Sequence, residues 1–103
     1  MVIVEFNIIP LGVGVSVSKF LVPALKELEK RKVKYEVTSM CTIFEARNIG
    51  EALSIVRAAH EAVFKAGVKR VVTTIRVDDR RNREESMEEK VKSLKSRLEE
   101  KNT

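Results

Sequence analysis

The 103 residues predict a single α+β domain, residues 1–103, in which one antiparallel sheet carries two helices on one face and a further helix follows at the C-terminus. Three observations predict it. Four stretches rich in β-branched residues have the period of a strand, two longer stretches repeat apolar residues at helical spacing, and the order of these elements is β-α-β-β-α-β. That order is the ferredoxin-like arrangement.

The first strand is VIVEFNII, Val2–Ile9, with Pro10 expected to stop it because proline has no amide to donate. Alternation puts Val2, Val4, Phe6 and Ile8 on one face, and Ile3, Glu5, Asn7 and Ile9 on the other. A loop with Gly12 and Gly14 follows, then Val17, Leu21, Ala24, Leu25 and Leu28 recur as the stripe of a helix over about Val17–Arg31. Ser16 or Ser18 is placed to cap its start, and Pro23 inside it predicts an irregular or bent first turn or two.

KYEVTSM and CTIFEA predict two strands joined by a tight connection near Ser39–Thr42. Asn48 with Glu51 three residues later marks the start of a second helix running to about Ala66, with Ile49, Leu53, Val56, His60 and Val63 as its stripe and Gly67 as its stop. In the fourth strand, VKRVVTTIRVDD, Val71, Thr73, Ile75 and Val77 alternate with Val72, Thr74, Arg76 and Asp78. Ser86 and Glu89 form another capping signature, opening a charged helix with a narrow seam of Met87, Val91, Leu94 and Leu98. Two helices cover one face of the sheet. The other face is mixed, with Glu5, Asn7, Glu36, Thr38, Met40, Thr74 and Arg76 beside Ile3 and Ile9, and such a face meets a partner subunit, the C-terminal helix or a ligand.

The net charge of +5 is concentrated in residues 19–34, where most of the bases complement the C-terminal end of the first helix. No basic binding stripe is evident, and the open face offers few aromatics for stacking bases, so nucleic acid is disfavoured as a partner. There is no apolar run of about 20 residues for a membrane span, and Glu5 interrupts an N-terminus that lacks the basic start of a signal peptide. Cys41 stands alone, so no intrachain disulfide is expected and the cytoplasm is the expected compartment. The abundance of Lys, Arg and Glu suits a heat-adapted organism.

Chemical motifs are few. The glycine loop has Val17 where a dinucleotide fingerprint needs glycine, and no Walker sequence occurs, which excludes a phosphate cradle. His60 on the helical stripe reads as a packed or hydrogen-bonded structural residue, and Cys41 as a small packing residue. A single histidine and a single cysteine argue against a metal site, and no cofactor is expected. DDRRNREE, residues 78–85, reads as a solvated loop of compensating charges. An acylphosphatase-type hydrolase is a weak alternative, since no arginine lies between the first strand and the first helix.

The blocks EFNIIPLGVGVSVSKF, KYEVTSMCTIFEA, AAHEAVFKAGVKRVVTTIRVDDRR and EEKVKSL together resemble the small thiamine-binding proteins, over essentially the whole chain. The resemblance implies a ferredoxin-like subunit, assembly through the sheets into dimers and tetramers, and non-catalytic binding of thiamine or its hydroxymethylpyrimidine moiety. With it, Asn7, Ser16, Ser18, Thr38 and Thr42 are expected to supply hydrogen bonds to the aminopyrimidine. Glu5, Glu36 or the ring of Phe44 would face the cationic thiazolium, with Leu11 and Met40 as walls. Cys41 and Ala46–Arg47 stand where the family pattern suggests smaller residues. The rival reading is an assembly module whose mixed face only builds the oligomer.

Overall fold

The computed structural model describes residues 1–101. The order is β1 Val2–Leu11, α1 Ser18–Lys30, β2 Tyr35–Val37, β3 Thr42–Ala46, α2 Ile49–Lys65, β4 Arg70–Asp79 and α3 Met87–Lys101. The four strands form one antiparallel sheet in the order β2-β3-β1-β4. This is the ferredoxin-like α+β fold with an added helix.

Pro10 does not stop β1. The strand continues to Leu11 because beyond Phe6, which pairs with Thr42, β1 has β4 as its neighbour and β3 has ended. One side of the strand therefore needs no amide donors there, and proline is tolerated as on an edge. The strands β2 and β3 are shorter than their sequence patterns, because residues 38–41 close the turn between them. Thr38 builds that turn: its Oγ1 accepts from the amides of Met40 at 3.2 Å and Cys41 at 3.1 Å, and donates to the Cys41 carbonyl at 2.9 Å.

Neither Ser16 nor Ser18 caps α1. Val17 occupies the N-cap position without a side-chain bond, and the Phe20 amide donates to the Val17 carbonyl at 2.9 Å instead. The helix is continuous through Pro23. Gly12 and Gly14 have φ of +77° and +91°, and a side chain built on either would meet nothing within 4 Å. They are glycines for the left-handed backbone of the loop and not for close approach to a neighbour.

In α2 the Asn48 side chain accepts from the Glu51 amide at 2.8 Å, the cap that the sequence predicts. The buried stripe, however, is Ala52, Ile55, Val56, Ala59, Ala62 and Val63, rotated from the expected one; Leu53 and Ile49 are exposed. Small alanines let α2 approach α1 and the sheet closely, and this overrides the preference of Leu53 for burial. The core between the helices and the sheet combines this stripe with Val2, Val4, Phe6, Ile8, Leu28 and Phe44. Phe6 and Phe44 meet edge to face, with ring centroids 5.7 Å apart.

His60 is part-buried against β4, its Nδ1 2.7 Å from the hydroxyl of Thr73 and its ring on Phe64. It is the hydrogen-bonded structural histidine of the sequence reading. The 78–85 loop is laced by Arg81 to Asp79 and by Arg80 to Glu85, compensating charges as expected.

Candidate functional site

The helices α1 and α2 cover one face of the sheet, and the side chains of Ile3, Glu5, Asn7 and Ile9 emerge from β1 on the other. They are joined there by Ile43 of β3 and by Val72, Thr74 and Arg76 of β4. Register makes the neighbours definite: Asn7 lies opposite Thr74, and Glu5 lies opposite Arg76 on one side and Ile43 on the other.

Two concavities share this face. A pocket of about 200 Å³ is formed where the 38–41 turn comes alongside β1 beyond the end of β3, with Asn7, Met40, Cys41 and Thr74 around it. A groove of about 990 Å³ lies between the sheet and α3, with Ile3 and Ile43 on the sheet side and Lys90, Val91 and Lys95 on the helix side. Glu5 and Arg76 border both. Their ion pair, at 3.6 Å and largely in solvent, forms the rim between them. Glu5 also accepts a weak 3.6 Å bond from the Cys41 thiol, which ties the turn to β1.

Asn7 is the chemically unusual member. Its side chain makes no hydrogen bond among the described residues, although Thr74 and Arg76 are beside it. An amide offers one acceptor and two donors in a plane, so an unpartnered one at the base of a pocket is a ready recognition group.

The expected site residues divide. Glu5, Asn7 and Met40 are brought together at the small pocket, Met40 as an exposed rim residue. Thr38 is beside it, with its hydroxyl engaged in the turn. Leu11 lies four residues along β1, paired with Arg70, and Ser16 and Ser18 are exposed in the loop and first turn of α1; none of the three borders either concavity. Thr42 has the parity of Phe44 and Ala46, which are buried under the helices, and so belongs to the opposite face of β3. Phe44 is likewise unsuited to a thiazolium, being 0% exposed in the core. Cys41, Thr74 and Arg76 complete the pocket and were absent from the expected ligand set. Cys41 forms part of the pocket wall. Strand alternation already put Thr74 and Arg76 on the right face, but their adjacency to Asn7 and Glu5 depends on the β1–β4 register.

Comparison with known proteins agrees with this architecture. A family model described as thiamine-binding protein matches residues 4–95. A UPF0045 protein of Methanothermobacter thermautotrophicus is 40% identical over 99 residues, covering 95% of this chain and all of that one. The crystal structure of a Methanocaldococcus jannaschii protein superposes with a TM-score of 0.82 at 36% identity, over 90% of this chain and 94% of that one. A Thermotoga maritima structure, provisionally named for thiamine biosynthesis or salvage, has a TM-score of 0.76 at 22% identity, over 90% of this chain and 97% of that one, and attests to the fold.

Proposed function

This chain belongs to the thiamine-binding protein family, and we propose that it is a non-catalytic binding protein for thiamine or its hydroxymethylpyrimidine moiety, serving as carrier, buffer or sensor. The observation that carries the reading is the unpartnered amide of Asn7 in the pocket lined by Met40, Cys41 and Thr74. An aminopyrimidine presents an amine donor beside ring-nitrogen acceptors, and an amide can answer both. At about 200 Å³ the pocket is smaller than the roughly 300–1,000 Å³ of sites for drug-sized ligands. It suits a single ring, with the rest of a longer ligand crossing the Glu5–Arg76 rim. A cationic thiazolium at that rim gains the Glu5 carboxylate, and an anionic phosphate beyond it gains Arg76.

The binding role, as opposed to catalysis, is supported by the chemistry around the pocket. The Cys41 thiol has Glu5 and Thr38 as its neighbours, with no imidazole to activate it, and His60 is bonded to Thr73 on the far face of the sheet. The working form is a homo-oligomer, a tetramer made as a dimer of dimers through the uncovered sheet faces. Titration calorimetry with thiamine, hydroxymethylpyrimidine and their phosphates tests the ligand: saturable heat with at least one of them is expected. Absence of heat from all of them would reject vitamin binding and give the open face to assembly alone.

A further inference from the structure

The groove beside the Asn7 pocket, at about 990 Å³, lies at the upper end of the range that small-molecule sites occupy, roughly 300–1,000 Å³. Its floor includes one row of the sheet. Arg76, Glu5, Ile43 and Glu36 stand side by side across β4, β1, β3 and β2. The Asn7 pocket lies on the next row, two residues along β1, a step of about 7 Å. That is on the order of the distance between two rings joined by one methylene. An apolar side chain flanked by two carboxylates, Ile43 between Glu5 and Glu36, is a floor for a flat cation.

The opposite wall carries the other sign. Three contacts fix the start of α3 over the sheet: the Met87 amide donates to Glu45, Lys34 pairs with Glu88, and Lys90 pairs with Asp78. Lys34 and Lys90 are thereby used within the chain. Lys92 and Lys95 are not. Both line the groove, and neither makes an ion pair among the described residues; nor does Glu36 across from them. Residues three apart on a helix are neighbours, with about 5–6 Å between their Cβ atoms, so the two ammonium groups can converge on one anion. Ser96 adds a hydroxyl on the same wall, and Glu99 lies a turn beyond Lys95. Arg76 holds Glu5 only at 3.6 Å and is 86% exposed, which leaves most of its guanidinium donors available.

The groove therefore separates its charges, acid on the floor and base on the helix, and it opens from a pocket of single-ring size. A ligand that satisfies both must be zwitterionic, with a cationic ring next to the first ring and an anion beyond it. Thiamine itself has only the cation, and hydroxymethylpyrimidine has neither. We infer that the groove is a subsite for the phosphate end of the ligand, held by Lys92, Lys95 and Arg76, so that the chain takes thiamine phosphate and thiamine diphosphate in preference to thiamine. This assignment rests on the binding reading above and names which form of the vitamin that site selects.

Titration calorimetry of the full chain with thiamine, thiamine phosphate and thiamine diphosphate tests it. The diphosphate is expected to bind about tenfold tighter than thiamine, a few-fold from each of the exposed cations, and added salt should shrink the difference. The double variant Lys92→Gln, Lys95→Gln, altered at exposed positions of α3, should lose most of that advantage while its affinity for thiamine is unchanged. Lys26→Gln with Lys30→Gln removes the same charge from α1, on the covered side of the sheet, and should leave all three affinities as in the wild type. Equal affinities for thiamine and its diphosphate, or an advantage that persists in the α3 variant or disappears equally in the α1 variant, would overturn the subsite and leave the binding reading standing. Silence from all three ligands would reject the binding reading and the subsite with it.

Discussion

Asn7 is a polar residue in the middle of an apolar strand, where it lowers β-propensity and contributes nothing to the core. Its cost makes sense if something outside the chain uses the amide. Asn7→Ala is therefore expected to weaken vitamer binding by about 1–3 kcal/mol, read by calorimetry, with the fold and the assembled mass intact. Unchanged affinity would remove Asn7 from the site. Phe44 gives the contrasting case. Fully buried against Phe6, Phe44→Ala should lower unfolding free energy by about 3–5 kcal/mol in a urea titration, the usual cost of truncating a core phenylalanine. A stable Phe44→Ala protein that only lost ligand would restore the ring to the binding site. That Asn7 faces away from the core was legible from strand parity alone, since it opposes the buried set Val4, Phe6 and Ile8. Thr42 and Phe44 were misjudged as ligand groups because parity cannot be carried across a turn of unknown length. The Thr38 turn that fixes it is made of side-chain bonds to amides two and three residues on.

Elements announced themselves by their ends more clearly than by their faces. Asn48 with Glu51 and Ser86 with Glu89 both became real caps, the second through the Glu89 amide donating to Ser86 Oγ at 3.1 Å. The buried stripe of α2 was displaced because alanines carry little weight in a hydrophobic pattern, yet close helix contact selects them. For α3 the pattern was right and its partner was missing, since no local signal says what an amphipathic helix lies against. The first turn of that helix is held by charge, and this has a definite pH signature. The hydrogen bond from the Lys34 ammonium holds the Glu88 carboxyl below its ordinary value of 4.5, and the same bond raises Lys34 above 10.5. The contribution of Glu88 is complete above about pH 4.5 and is lost as pH falls through its depressed folded-state value; that of Lys34 is lost only in strong alkali. In an NMR titration the side-chain carboxyl carbon of Glu88 should titrate below the ordinary value of 4.5, and Lys34→Gln should move that transition back up. Glu88→Gln should remove that transition. Persistence of the transition in Glu88→Gln would assign it elsewhere.

At the scale of the molecule, one face of the sheet is finished within the chain and the other is not. No helix among the described residues is long and apolar enough to cross a membrane, so a lipid span does not account for the exposed seam. A small domain with one core between α1, α2 and the sheet, and a second apolar layer left half-built, would gain stability if the proposed assembly of copies covers that layer. By mass action, raising the chain concentration a hundredfold favours an associated native state by about 2.7 kcal/mol per dimer, or roughly 1.4 kcal/mol per chain. For a domain of about 100 residues, each kcal/mol moves the midpoint by about 4–8 °C. The melting temperature of the wild type should thus rise by on the order of 5–10 °C across that range, followed by circular dichroism at low concentration and calorimetry at high. A double variant Leu94→Glu, Leu98→Glu, altered at two exposed positions of α3, should melt at a temperature independent of concentration if α3 alone joins the copies, and with a shallower dependence if a second sheet interface also holds them. A wild-type midpoint that did not move with concentration would mean that the open face contributes nothing to the folded state, and the vitamin site would then have to be complete within one chain.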